Sequence, residues 1–252
     1  MQRYFVPESE WNNKNVTISG DDVHHMNKVM RFQEGDKVIC NHPDGKAAVC
    51  AIKKIDSAQI YLEILEWTEE LAELPIDITI SQGLPKGDKF DLIMQKGTEL
   101  GANFFIPFKA ERSVVVWDEK KLEKKMKRFT KIVKEASEQS HRNKIPQIKP
   151  MMSLPELMEE SAKYDVKIFA YEEEVRSEHH GTFGKAVSGI KPGQKVMVCI
   201  GPEGGFSANE AAVLKNHGFI SVRLGPRILR TETAAIYVLA SISYHFEELG
   251  CN

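Results

Sequence analysis

The sequence predicts an α/β protein in which a small, mostly β region precedes a larger region built on a parallel sheet. Residues 1–70 consist mainly of short β-branched or aromatic stretches separated by turn signals. From Ile76 onward, strand-like and helix-like segments alternate, which is typical of a parallel sheet covered by helices. A chain of 252 residues fits one large domain or two unequal ones. We therefore expect domains at 1–70 and 71–252.

The first region contains five strand-like stretches and one helical pattern. Val23, Met26 and Met30 share one face of a predicted helix from Asp21 to Phe32. The stretches are RYFV, NVTI, KVIC, AAVCAIKKI and QIYLEILEW. Strands this short and this closely spaced predict a small barrel-like module, and the acidic TEELAELP after it reads as a linker.

The second region alternates strands and helices. Its strand-like stretches are IDITISQGL, NFFIPF, VKIFAYE, KVMVCIG and ISVRLG. Helices are predicted after the first of these, from Asp118 to Gln139 after the second, and between the last two. Because ligands of such sheets bind at the carboxyl ends of the strands, the loops there are the first place to look for a site.

Composition excludes several classes of protein. Hydrophobic residues at 42% and charged residues at 28% describe a globular chain, not a disordered one. No run approaches the ~20 apolar residues of a membrane helix, and the N-terminus lacks the apolar stretch of a signal peptide, so we expect a cytoplasmic protein. The four cysteines, which are scattered without a C-x-x-C pair, predict neither disulfides nor a metal site: Cys40, Cys50, Cys199 and Cys251.

Charge is segregated along the chain although the formal net charge is only −2. Residues 109–150 hold 13 Lys or Arg against 6 Asp or Glu, whereas residues 156–178 hold 3 against 8. The basic segment is either a solvated helix face or a surface for an anionic partner.

The stretch GPEGGFSANE, residues 201–210, is the first loop with chemical content. Gly201, Gly204 and Gly205 allow the main chain to approach a ligand closely, and Ser207 with Glu210 forms a capping box that begins a helix. A phosphate cradle would have the same shape, but Glu203 would repel a phosphate. The loop therefore favours a neutral or cationic ligand, with a purely structural turn as the alternative.

The stretch RLGPRILRTETAA, residues 223–235, also leaves a strand through glycine and proline. Ile228 and Leu229 could wall an aromatic ring of a ligand, and Thr231 and Thr233 could cap the helix or donate hydrogen bonds. Neither G-x-G-x-x-G after a strand, nor a P-loop, nor G-x-S-x-G occurs. Two such loops after consecutive strands predict one shared pocket.

These two loops closely resemble those of the 16S ribosomal RNA uridine N3-methyltransferases, members of the SPOUT superfamily of knotted methyltransferases. Three further stretches resemble the same family in the same order: HMNKVMR at 25–31, QKGTELG at 95–101 and EQSHRNKIP at 138–146. The resemblance implies an N-terminal PUA-like β-barrel that helps to bind RNA, and a C-terminal SPOUT-type domain with a trefoil knot in its parallel sheet. It also implies a homodimer that acts on 16S rRNA or the small ribosomal subunit.

The family uses S-adenosylmethionine, a cation with a flat adenine ring. By resemblance, both loops enclose this cofactor through Gly201, Pro202, Glu203, Gly204, Leu224, Gly225, Ile228, Leu229, Thr231, Thr233 and Ala234. Glu203 either contributes a favourable field or braces the loops. No metal is implied.

Methyl transfer to N3 of uracil requires positioning and a proton acceptor. Arg230 is the first candidate for the substrate, since a guanidinium pairs with phosphate or with anionic uracil. Glu232, Glu99 or solvent could accept the proton, and Arg31, Gln139 and Arg142 are candidates for gripping RNA.

Three other functions remain open at this point. A non-catalytic RNA-binding assembly factor would keep the fold without a cofactor pocket. A phosphate-binding nucleotide enzyme is disfavoured by Glu203 and the absent P-loop lysine. A methyltransferase with this fold could also modify a different position of the RNA.

Overall fold

The computed structural model describes residues 1–69, 72–171 and 181–250, which divide into two compact units. The first unit comprises Met1–Glu73 and Lys134–Ile145, and the second comprises Leu74–Val133 and Pro146–Asn252. The predicted division at residue 70 assigned 134–145 to the second domain, whereas in the structure these residues group with the first unit. The domain limits 1–70 and 71–252 stay a prediction.

The first unit is built on one six-stranded sheet, which confirms the strand-rich character predicted for it. Its strand order is β1-β4-β5-β6-β3-β2, with no ladder joining the two edge strands, and β1 pairs with β4 in parallel while the other pairs are antiparallel. The elements are β1 (Arg3–Phe5), β2 (Trp11–Asn12), β3 (Asn15–Ser19), α1 (Asp21–His24), β4 (Lys37–Asn41), β5 (Ala47–Ile55) and β6 (Gln59–Thr68).

The helix predicted at 21–32 is present but shorter. A π-helical segment, His25–Met30, continues α1, and the chain then leaves the helix at Arg31, whose φ of 56° is left-handed. Met26 is fully buried in the core of this unit, beside alternating inward residues of the strands such as Ile60 and Leu62. Buried and more exposed residues alternate along these strands, which explains why the short strands could be predicted from the sequence.

Residues 134–145 are tied to the N-terminal chain by charge pairs, which the sequence did not reveal. The Arg142 guanidinium is 2% exposed and forms an ion pair with Glu73, and the Glu73 carboxylate also accepts main-chain hydrogen bonds from Asn143 and Lys144. Arg142 also accepts a hydrogen bond at its carbonyl from Asn41. These contacts are the physical reason that the segment groups with the first unit.

The second unit contains a seven-stranded sheet in which every pair is parallel, as the alternating sequence predicts. Its elements are β7 (Asp77–Gly83), α2 (Lys89–Glu99), β8 (Phe104–Phe108), α3 (Glu119–Gln139), β9 (Gln147–Ile148), α4 (Leu154–Ser161), β10 (Val166–Ala170), β11 (Gly181–Thr182), α5 (Phe183–Val187), β12 (Lys195–Ile200), α6 (Ala208–Asn216), β13 (Ile220–Arg223) and α7 (Thr231–Ser243). The last six residues of α3 belong to the first unit.

The strand order of this sheet is β11-β13-β10-β12-β7-β8-β9. The chain enters β12 between β7 and β10, both of which precede it in sequence, and then crosses to β13 on the far side of β10. The reversal of direction around β10 creates a switch point, where open α/β sheets bind their ligands. The α/β class with a parallel C-terminal sheet is confirmed, and the knot stays a prediction.

Among the described residues, no helix is both long and apolar enough to cross a membrane. Within the same part of the chain, no three His, Cys, Asp or Glu side chains are grouped as metal ligands. Cys251 and residues 172–178 of the acidic segment lie outside the described residues.

Candidate functional site

A cleft of about 310 Å³ opens at the carboxyl ends of β10, β12 and β13, the switch point of the sheet. Its size falls in the range of small-molecule sites, about 300–1,000 Å³. The lining residues are Lys89, Ala170, Tyr171, Ile200, Gly201, Pro202, Glu203, Gly205, Phe206, Val222, Arg223, Leu224, Arg227, Ile228, Leu229, Arg230, Thr231 and Ala234.

The loop after β12 is held against the end of β7 by a close approach of main chains. An added Cβ at Gly83 would lie 2.7 Å from Cδ of Pro202 and 2.8 Å from its nitrogen, so no larger residue fits at Gly83 without moving the loop. Gly205 has a φ of 65°, which favours glycine and turns the chain back toward α6. The turn itself therefore favours glycine at position 205, and the close approach requires glycine at position 83.

Thr231 joins the two loops of the cleft. Its hydroxyl donates to the Gly201 carbonyl at 2.6 Å and accepts a hydrogen bond at 2.8 Å from the amide nitrogen of Gln82. The same Gln82 nitrogen also lies 3.3 Å from the Gly201 carbonyl. Because all of these groups are buried, each bond satisfies a polar atom that could not otherwise reach water.

Glu203 is paired with a lysine in the cleft. The Lys89 ammonium, at the start of α2, lies 2.7 Å from Glu203 Oε1 and 3.8 Å from Glu232 Oε2. Glu203 also accepts a hydrogen bond from the main-chain nitrogen of Lys86 at 3.0 Å. The Lys89 ammonium thus lies near two carboxylates. Glu203 links the loop after β12 to the connection between β7 and α2.

These contacts set the ionisation of Glu203. Partial burial works to raise the pKa of this carboxyl, but the hydrogen bonds from the Lys89 ammonium and the Lys86 amide outweigh it, so the pKa is lowered from its ordinary 4.5. Glu203 is therefore ionised at neutral pH, with part of its charge balanced by Lys89.

The loop after β13 is much more exposed. Gly225 takes a left-handed φ of 77°, and Ile228 is 75% exposed although it lines the cleft. Leu229 is half-buried behind it. An isoleucine this exposed at the mouth of a cleft provides apolar surface for a ligand ring, as the sequence predicted for this position.

Three arginines surround this loop: Arg223, Arg227 and Arg230. Among the described residues, no carboxylate lies within ion-pair distance of the Arg230 guanidinium, which projects from the residue that caps α7. Unpaired guanidinium groups at a cleft mouth are suited to phosphate or to another anion.

The structure brings together most of the residues predicted to bind the cofactor, and Arg230 of the two predicted catalytic residues, Arg230 and Glu232. Lining the cleft are Gly201, Pro202, Glu203, Leu224, Ile228, Leu229, Arg230, Thr231 and Ala234, whereas Gly204, Gly225, Glu232 and Thr233 are not part of the lining. Gly204 instead faces Arg112, whose guanidinium donates to its carbonyl at 3.0 Å. Thr233 is exposed on the outer face of α7.

Lys89, Ala170 and Tyr171 are among the lining residues that were not predicted from the sequence. Ala170 ends β10 and Tyr171 follows it. Because β10 lies between β12 and β13 only in the folded sheet, no local sequence signal indicates that these two residues reach the cleft. Lys89 had one signal: it follows the carboxyl end of a strand and begins a helix, where the helix dipole disfavours a cation.

The candidate proton acceptors are in poor positions for that role. Glu99 ends α2, about 15 Å along the helix axis from Lys89, and it pairs with Lys96. Glu232 Oε2 is buried and makes no hydrogen bond within the described residues. That oxygen is not accessible in this structure, and the catalytic role predicted for Glu232 stays a prediction.

The predicted RNA-gripping residues differ in accessibility. Arg31 and Gln139 are exposed. Arg142 is buried in its ion pair with Glu73, so its guanidinium is not presented at the surface. The structure corrects the hypothesis for Arg142: its side chain holds the first unit together.

Comparisons with known proteins agree with this geometry. A family model described as an RNA methyltransferase domain matches residues 72–243, and one described as an RNA methyltransferase PUA domain matches residues 18–65. Ribosomal RNA small subunit methyltransferase E of Bacillus subtilis is 44% identical over 252 residues, 99% of this chain and 98% of that protein. The protein of the same name from Synechocystis is 33% identical over 228 residues, which cover 90% of this chain and 72% of that protein.

A solved structure extends the likeness to three dimensions. Ribosomal RNA small subunit methyltransferase E from Neisseria gonorrhoeae, bound to S-adenosyl methionine, has a TM-score of 0.85 at 28% identity, covering 97% of this chain and 98% of that one. The matches span both units of the chain and agree with the family that its motifs resemble. The chain therefore belongs to the RNA methyltransferase family that includes the ribosomal RNA small subunit methyltransferases E.

Proposed function

We propose that this protein transfers a methyl group from S-adenosylmethionine to N3 of a uridine in the 16S rRNA of the small ribosomal subunit, in the cytoplasm. The observation that carries the proposal is the cleft at the switch point, walled by the two loops whose sequences resemble the uridine N3-methyltransferases. The RNA methyltransferase matches to both units of the chain support the same class of reaction.

The residues of the cleft fit S-adenosylmethionine. Ile228 and Leu229 offer apolar surface for the adenine, and the main chain at Gly201 approaches the cleft without a side chain in the way. Two carboxylates, Glu203 and Glu232, lie near Lys89, whereas the cations Arg223, Arg227 and Arg230 lie at or after the end of β13. The proposal places the sulfonium cation on the Glu203 side of the cleft. When bound, the cofactor supplies an electrophilic methyl group carried on a sulfonium sulfur.

The protein's contribution to the chemistry is positioning and charge. The uracil N3 proton must leave before or during bond formation, which puts negative charge on the ring. Arg230, exposed at the mouth of the cleft without a carboxylate partner among the described residues, stabilises that charge or the neighbouring phosphate. Glu232 lies beside Lys89, and since Glu99 is distant, Glu232 and solvent remain the candidate proton acceptors.

Phosphate contacts are proposed for the exposed basic face of α3. Lys120, Lys121 and Lys124 are exposed and make no ion pair within the described part of the chain, whereas Lys127 pairs with Glu123. Arg31 and Gln139, both exposed in the first unit, remain candidates there. Each neutralised phosphate should add about 0.7 to the slope of log affinity against log salt for single-stranded RNA.

We also propose that the protein acts as a homodimer. Ala235, Val238, Leu239 and Ile242 are buried within the protein's own second unit, so they form core and not a dimer surface. The outer face of α7 and the turn that follows it exposes Tyr237 and Tyr244 at a helical spacing of seven residues. A dimer formed through this helix would use that outer face.

The most informative test is mass spectrometry of 16S rRNA nucleosides from a strain that lacks the protein. The proposal predicts loss of 3-methyluridine and its return when the gene is restored, but not when Arg230→Ala is supplied. Loss of a different methylated nucleoside would move the activity to another RNA position. Full retention of every methylated nucleoside would leave the non-catalytic assembly factor as the better account.

A further inference from the structure

Residues 112–117, which connect β8 to α3, contact both the loop at 201–205 and the start of α2, and we call them the valine strap. At one end Arg112 donates to the Gly204 carbonyl at 3.0 Å. At the other end the buried Trp117 packs edge-on against Phe90, with ring centroids 5.6 Å apart, and also contacts Phe129. Both ends of the strap are thus fixed to the second unit.

The middle of the strap exposes apolar side chains that a folded chain normally covers. Val114 is 68% exposed and Val116 is 67% exposed, while Val115 between them is half-buried. The main chain of residues 114–116 makes no hydrogen bond within the described residues. Three β-branched residues in a segment without main-chain hydrogen bonds to the described chain, two of them largely exposed, have the character of a surface that is completed by a partner.

The strap borders the cleft. The residues that hold its two ends, Gly204 and Phe90, are the chain neighbours of Glu203 and Lys89. Glu203 and Lys89 line the cleft and form an ion pair with each other. Val114 and Val116 are each within three residues of an end of the strap, at most about 10 Å along the chain. The apolar surface of Val114 and Val116 therefore continues the rim of the site.

The charge around the strap indicates the kind of partner. Arg112 precedes the valines, and Lys120, Lys121 and Lys124 follow them on the first turns of α3, all exposed. Among the described residues none of these three lysines has a carboxylate partner. Apolar surface flanked by free cations suits a polyanion with flat apolar groups, which is the chemistry of unpaired nucleotides.

We propose that the valine strap binds the RNA strand next to the nucleotide that is methylated. Val114 and Val116 contact the faces of unpaired bases, and the flanking cations hold their phosphates. This inference rests on the proposed function, which it deepens by assigning the acceptor strand to one side of the cleft. It also explains why an apolar segment at an active site stays uncovered by the protein's own chain.

The test compares the double variant Val114→Ser/Val116→Ser with Ile220→Ser in the full-length protein. Both changes remove exposed aliphatic side chains, but Ile220 begins β13, at the end of the strand opposite the cleft. Cofactor affinity is measured by calorimetry with S-adenosylmethionine. Affinity for small ribosomal subunits from a strain lacking the protein is measured by co-sedimentation, which does not depend on methyl transfer.

We expect the double variant to bind subunits at least tenfold more weakly, by loss of two apolar contacts, with cofactor affinity within twofold of the parent. The Ile220→Ser control should bind both as the parent does. Unchanged subunit binding by the double variant overturns the proposal. So does a change in its mass in solution, because the strap would then be covered by a second copy of the chain. Failure of the parent protein to bind S-adenosylmethionine would instead count against the proposed function.

Discussion

The two loops of the cleft keep their shape by different means. The loop at 201–205 is fixed from several sides, by Thr231, Lys89 and Arg112 and by its contact with Gly83. The loop at 224–230 carries the exposed Ile228, and also Arg230, which has no carboxylate partner in the described part of the chain. The loop at 201–205 is thus preorganised for one ligand, while the loop at 224–230 has side chains available to contact a second ligand. We interpret the first as the cofactor side and the second as the side where the acceptor RNA arrives.

Displacing the loop at 201–205 should have the largest effect on cofactor binding. Gly83→Val places atoms within 3 Å of Pro202 and must displace the loop. We expect a loss of S-adenosylmethionine affinity of about 100-fold, from the cost of overpacking, measured by calorimetry. Gly184→Ala is the matched control, since a Cβ there meets nothing within 4 Å. Equal affinities for the two variants would contradict a preorganised loop.

Changing the loop at 224–230 should affect turnover without affecting cofactor affinity. Arg230→Ala removes the cation at the cleft mouth, and we expect kcat to fall by about 10²-fold, the usual cost of removing one charge-stabilising donor. S-adenosylmethionine affinity should stay within twofold, and Arg230→Lys should recover part of the rate. A fall in cofactor affinity equal to the fall in rate would place Arg230 on the cofactor side instead.

The hydrogen bonds of Thr231, which join the two loops of the cleft, should contribute to the stability of the fold. Thr231→Val keeps the shape of the side chain but removes the buried hydroxyl that donates to the Gly201 carbonyl and accepts from the Gln82 amide, which leaves these two groups with their weaker 3.3 Å contact. We expect unfolding in urea to show a loss of about 1–3 kcal/mol, with Thr231→Ser close to the parent. Thr233→Val, on the exposed face, should have no measurable effect. A neutral Thr231→Val would show that the loops hold their positions independently.

The smallest expected effect concerns the charge of Glu203. Its pKa is lowered from 4.5, so its ionised form stabilises the fold above that pH, and the stabilisation is lost as the pH falls through the lowered value. Glu203→Gln should therefore be less stable than the parent at pH 7 by about 1 kcal/mol or less. The difference should disappear as the pH falls through that lowered value. A difference independent of pH would assign the contribution to packing, not to charge.

The sequence alone predicted the fold where structure follows from local periodicity. Alternating burial identified the strands, and the capping box at Ser207 and Glu210 is present in the structure, where Ser207 accepts a hydrogen bond from the Glu210 nitrogen. The loops at Gly201 and Leu229 were found from their glycines and exposed apolar residues. Each of these signals lies within a few residues of the feature that it predicts.

What the sequence did not reveal depends on contacts between distant segments. The position of β10 between β12 and β13 brings Tyr171 to the cleft, and strand order is not encoded in any single stretch. The pairing of Lys89 with Glu203 joins residues 114 positions apart. Arg142, predicted as an RNA contact, is buried against Glu73 for the same reason: a charged residue in a basic segment does not indicate its partner.

The account depends on the two loops holding S-adenosylmethionine between them. A crystal structure of the protein grown with saturating S-adenosylmethionine tests this most directly. We predict density for the cofactor between Gly201 and Leu229, with its adenine against Ile228 and Leu229. Density at another place on the second unit, or a cleft that remains empty at saturation, would contradict the account.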